Sequence, residues 1–148
     1  MSYRDTINNF HTFLLSIDRE ITCIKVTEER WSLTEIVGHL IDSAANNHQR
    51  LVRLQYTKLL KFPAYDCEQW LSVQKYNNMS WELVVSHWYT YNCILINVIE
   101  SITDDLLDNV WVNGEEEIPL REIIHQYYRH LELHMEHFNK RLGELLKQ

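Results

Sequence analysis

The chain has 148 residues, 45% of them hydrophobic, which fits one domain with a sizeable core. With only 3 Gly and 2 Pro, long helices are favoured over a fold of many tight turns. The net charge of -7 and the absence of a basic stripe argue against a nucleic-acid binder, and equally against docking on an anionic membrane.

No apolar run approaches the roughly 20 residues that span a bilayer. Residues Met1 to Asn9 are polar and lack the apolar stretch of a signal peptide, so a cytoplasmic location is expected.

The first predicted helix covers residues 4–24, where Ile7, Phe10, Leu14, Ile17 and Ile21 recur at helical spacing. A charged loop follows from Lys25 to Arg30. Ser32 caps a second helix, with Glu35 placed to complete a capping box. Its stripe of Leu33, Ile36, Val37, Leu40, Ala44 and Leu51 extends it to about Leu59, before Pro63 breaks it. Asp66 caps a short helix through Tyr76, and Asn77-Asn78 marks a turn. Ser80 caps a third long helix over about 81–101, and one helical turn is expected over 103–108.

Val110-Trp111-Val112-Asn113-Gly114 is a hairpin signal, which implies a two-strand excursion to about Ile118. Pro119 suits the first turn of a last helix over about 120–146. Four long amphipathic helices with limited connections, covering 1–148, point to an all-α antiparallel four-helix bundle with a small β-hairpin before the last helix.

The chemistry concentrates in the last helix, which holds four of the 8 His residues. His130 and His134 share a face about one turn, roughly 6 Å, apart. Ile123, Tyr127 and Phe138 lie on the same stripe, so the pair points inward. Two inward imidazoles at this spacing converge on one ion, as in zincin helices, although no H-E-x-x-H is present. His39 flanks the apolar stripe of the second helix and is the candidate third ligand. Asp42 and Ser43 share its face, and either is placed to hold its second ring nitrogen; Asp42 is also the candidate acid–base group. Three neutral His ligands leave a coordination position open, the hallmark of a catalytic rather than a structural zinc site. His137 is a substitute ligand. His11, His48, His87 and His125 read as packing or surface residues. Cys23, Cys67 and Cys93 lack metal-binding or disulfide spacing and read as buried free thiols.

Trp31 to Ser43, with the run Trp-Ser-Leu-Thr-Glu-Ile-Val-Gly-His-Leu-Ile-Asp-Ser, resembles the first helical signature of the DinB superfamily. Tyr65-Asp66 leading to Trp70 and Tyr76 is similar to its middle segment. Leu120 to Ile124, followed by Tyr127 and His130-x-x-x-His134, is similar to its last helix. The resemblance covers nearly the whole chain. It departs at Leu133, where many relatives carry a histidine adjacent to the ligand.

The resemblance implies a four-helix bundle, often a homodimer, with a three-His site for one divalent ion such as zinc or nickel. The ligand positions fall on His39, His130 and His134. It further implies thiol transfer from a low-molecular-weight thiol to an electrophilic small molecule. Hydrolysis by metal-activated water and a non-catalytic binding or stress role are the alternatives. A carboxylate-bearing thiol would need a cation; Arg50, Arg53 and Arg129 are available, each expected on a solvated face.

Overall fold

The computed structural model describes residues 1–148. Five helices and three short strands follow in the order α1 (Tyr3–Leu15), α2 (Leu33–Arg53), β1 (Leu59–Lys61), α3 (Cys67–Gln74), α4 (Trp81–Glu100), β2 (Val110–Asn113), β3 (Glu116–Pro119) and α5 (Leu120–Leu146). Single 3-10 turns occupy Arg19–Ile21, Tyr76–Asn78 and Asp104–Leu106.

The caps are those expected. Ser32 accepts from the Glu35 amide while the Glu35 carboxylate accepts from the Ser32 amide, closing the capping box of α2. Asp66 caps α3 and Ser80 caps α4. Gly114, at φ 63°, supplies the left-handed residue of the β2–β3 turn.

The four long helices α1, α2, α4 and α5 form the expected four-helix bundle, except that α2 and α4 run parallel where an antiparallel order was expected. Side-chain pairings give their directions. Arg4 meets Glu100, and Trp81 donates to the Leu14 carbonyl, so α1 and α4 are antiparallel. Arg30 meets Glu144, and His39 meets His130, so α2 and α5 are antiparallel. Trp81 packs near Phe138 and Tyr127 donates to Asn92, so α4 and α5 are antiparallel. Ile41 and Val84 line one recess and His48 bonds Tyr91, so α2 and α4 run parallel. Parallel neighbours need a return crossing, which residues 54–80 provide; that crossing carries β1 and α3. Trp88, Phe10 and Phe138 centre one apolar cluster. Leu51, Leu60, Trp111 and Tyr127 build a second beside the sheet.

Three boundaries differ from expectation. The first helix ends at Leu15, because the Ser16 amide turns back to the carbonyls of Phe13 and Leu14 and Asp18 caps a separate 3-10 turn. Ile17 and Ile21 still pack on the core from this irregular segment, which explains their helical spacing. Helix α2 ends at Arg53 rather than near Leu59. Residues 59–61 instead form β1, paired in parallel with β2 so that buried Leu60 lies opposite Trp111. The hairpin is therefore part of a three-stranded sheet in the order β1-β2-β3. The short helix stops at Gln74, where Lys75 adopts the left-handed region at φ 56°. The three thiols are free but none is buried, and Cys23 is exposed on the irregular segment after α1.

Candidate metal centre

Residue 39 lies in the second turn of α2, and residues 130 and 134 lie one turn apart in the middle of α5. The antiparallel packing of α2 on α5 brings these levels together. The Nε2 atoms of His39 and His130 are 3.0 Å apart. Ligand atoms of His39, His130 and His134 all lie within 4.8 Å of one another. The His134 ring centroid is 4.4 Å from each of the other two.

The donor set fits a divalent ion. Neighbouring nitrogens bound to one ion at about 2.0–2.1 Å lie roughly 3 Å apart, as these two Nε2 atoms do. Imidazole ligates only when neutral, and the surroundings enforce that form. Burial, reinforced by the other imidazoles of the cluster, pushes His39 down to about 3. Burial, then His130 and His137, pushes His134 down to about 4. Burial also lowers His130.

The outer ring nitrogens differ in their partners. Ser43 Oγ lies 3.4 Å from His130 Nδ1, so Ser43 faces His130 rather than His39. His137 Nδ1 lies 3.4 Å from His134 Nδ1, which places His137 beside the cluster as a neighbour of one member. His39 Nδ1 is buried without a partner.

Asp42 is fully buried, and its Oδ1 accepts from Tyr76 Oη at 2.6 Å and from Gln74 Nε2 at 2.9 Å. It makes no bond to His39. Desolvation raises its pKa, against the lowering effect of these two donors. The carboxylate thus ties the end of the return crossing to α2, one turn from His39.

Trp31 was legible only as part of a motif, yet it packs against the cluster. Its ring centroid lies 4.8 Å from that of His39 and 6.0 Å from that of His134, stacked on the latter. Its Nε1 donates to Glu68 of α3 at 3.2 Å. An aromatic residue immediately before the cap Ser32 was the available signal, because that position packs back over the first turns of its helix.

The remaining histidines stay apart from the cluster. His11 stacks on Tyr89, His48 bonds Tyr91, and His87 and His125 are exposed. Arg53 and Arg129 are exposed as expected. Arg50 is not: it is 6% exposed, with its guanidinium 3.8 Å from the Trp111 ring centroid. The sheet, unforeseen in its full extent, provides that aromatic wall.

No helix is long and apolar enough to cross a membrane. Among curated proteins, none matches the chain. Among solved structures, it is similar to YfiT from Bacillus subtilis, with a TM-score of 0.75 at 16% identity over 95% of this chain and 86% of that one. That protein is described as "a probable metal-dependent hydrolase with an unusual four-helix bundle topology". At this identity the likeness concerns the fold, and the parallel α2–α4 pair with its long crossing is the topology seen here. The profile of the DinB superfamily matches residues 2–138, and the chain belongs to that superfamily.

Proposed function

We propose that the protein is a metal-dependent enzyme in which His39, His130 and His134 hold one divalent ion, zinc or nickel, and a small thiol is transferred to an electrophilic substrate. The observation that carries this reading is the convergence of three neutral imidazoles within 4.8 Å, drawn from two helices far apart in sequence.

A divalent ion bound by three neutral ligands supplies Lewis acidity, lowering the pKa of a coordinated thiol or water so that a nucleophile forms near neutral pH. The chain does the rest. Burial keeps the three imidazoles unprotonated, so they bind without competition from protons. Trp31 covers His39 and His134 and limits water at that side. Ser43 steadies the His130 ring. Asp42 acts as a positioning residue, because its hydrogen bonds go to Tyr76 and Gln74 and not to the cluster.

Thiol transfer suits this wall chemistry. A thiol, once activated, would need little help from a protein base, and no carboxylate bonds the three imidazoles: Asp42 Oδ1 accepts from Tyr76 and Gln74, while its buried Oδ2 has no partner. Hydrolysis is the second reading, favoured by the description of YfiT.

The test incubates zinc- or nickel-loaded protein with cysteine or another small thiol and monochlorobimane, in parallel with p-nitrophenyl acetate without thiol. Metal-dependent conjugation of the bimane supports transfer. Ester turnover without thiol supports hydrolysis instead. Failure of the protein to take up either ion removes both readings.

A further inference from the structure

Arg50 lies about three turns of α2 beyond the cluster histidine at 39, with no carboxylate within ion-pair distance. Its Nε is buried without a partner, and its Nη1 reaches only Asn47 Oδ1, at 3.4 Å. Desolvation lowers its pKa, although guanidinium remains charged at neutral pH. The Trp111 face returns part of that desolvation through cation–π attraction. Full desolvation of a cation costs more than one aromatic face restores. Trp111 alone therefore leaves this charge undercompensated, and a fork of donors remains free to bind an anion.

The surroundings say where that anion would sit. Arg50, Asn47, Tyr65, Ser43 and His130 line one recess of about 200 Å³. Its volume is below the roughly 300–1,000 Å³ of pockets that swallow a drug-sized ligand, so it takes one end of a small molecule. From Ser43, at the level of His130, to Arg50 the helix rises about 10 Å. Burial pushes the Tyr65 phenol up to about 12, so it stays a hydrogen-bond donor. One wall of the recess thus belongs to the histidine cluster, and the other presents the Arg50 guanidinium and the Tyr65 phenol and no acidic group, with Asn47 turning its Oδ1 to Arg50 and its amide N–H to Ser43.

We propose that Arg50, seated on Trp111 and flanked by Tyr65 and Asn47, binds a carboxylate of the substrate and orients its other end toward His130 and the histidine cluster. A carboxylate, rather than a phosphate dianion, matches the single positive charge of the recess and the planar fork of a guanidinium. The substrate class is accordingly a small organic acid, or a thiol that carries a carboxylate. The reacting end of this assignment rests on the metal reading above; the anion-binding end does not.

The probe is glutarate, with its neutral diamide as control, titrated calorimetrically into the zinc-loaded and the metal-free protein. Glutarate should bind more tightly than the diamide, and Arg50→Gln should weaken it about tenfold or more. Arg129→Gln should leave it unchanged, and Arg50→Gln should retain the full zinc content. Arg50→Lys and Tyr65→Phe keep the test in force if the glutamine variant fails to fold, because each should weaken glutarate with the zinc content intact. Affinity indifferent to residue 50, or equal for acid and diamide, overturns the proposal. Arg50-dependent binding in a protein that takes up no metal would sink the metal reading and leave this one standing.

Discussion

The ring of Tyr76 fills the space that a side chain on residue 38 would need: a Cβ built on Gly38 overlaps Tyr76 Cδ2 and meets its Cγ at 2.5 Å. Glycine is required there because the return crossing lays an aromatic ring directly on the α2 backbone, one residue before His39. The same tyrosine holds Asp42. Gly38→Ala should therefore displace Tyr76, destabilising the fold by about 1–3 kcal/mol, as overpacking does. Urea unfolding measures it. An unchanged midpoint would show that the crossing yields freely.

The metal reading predicts an effect on stability. An ion present at about 100 times its dissociation constant adds roughly 2.7 kcal/mol to the folded state. Chelation of the zinc-loaded protein should then lower Tm by about 5–10 °C at this chain length. The variant His39→Ala should show no difference between chelated and zinc-supplemented samples. A wild-type Tm indifferent to zinc would contradict the ligand assignment.

Acid should destabilise the metal-free protein. Burial and mutual repulsion hold His39 and His134 down to about 3 and about 4. In the unfolded chain both titrate near about 6.5. Between these values the unfolded state binds more protons than the native one, so stability falls as pH drops. This contribution is fully present above pH 6.5 and is lost progressively toward about pH 4 and below. Urea midpoints of the chelated protein from pH 8 to 4 should decline from about 6.5 downward, less steeply in a His39→Gln, His134→Gln double variant. Parallel profiles would exclude these two residues as the cause.

Trp31→Ala should weaken zinc binding about tenfold, the usual scale for groups that orient ligands. It removes the ring packed on His39 and His134 without touching a donor atom. A competition titration with a chromophoric chelator reads the change, and an affinity equal to wild type would reduce Trp31 to a packing role.

Tyr127→Phe offers a contrast. The buried Tyr127 hydroxyl donates to Asn92, itself buried between α4 and α5. Its loss leaves the Asn92 oxygen unpaired and should cost about 1–3 kcal/mol. Thermal unfolding should show that loss while zinc affinity stays at the wild-type value. A change in affinity would mean that this hydrogen bond positions His130, one turn away.

Elements with local causes were legible in the order of residues alone. Ser32 with Glu35, Asp66 and Ser80 start their helices because a cap needs only neighbours in the chain. Asn113-Gly114 turns the hairpin for the same kind of reason. The pairing of His130 with His134 follows from helix periodicity. His39 was a candidate companion from its place beside the apolar stripe of α2, and the resemblance strengthened that assignment. The packing of the whole chain set α2 antiparallel on α5 in the register that joins His39 to His130. It also decided that residues 59–61 leave the helical pattern to pair with β2, that Asp42 bonds Tyr76 and Gln74 in place of His39, and that Arg50 is buried against Trp111. Each of these depends on a partner far along the chain, and a one-dimensional pattern carries no distance between such partners until the core has packed.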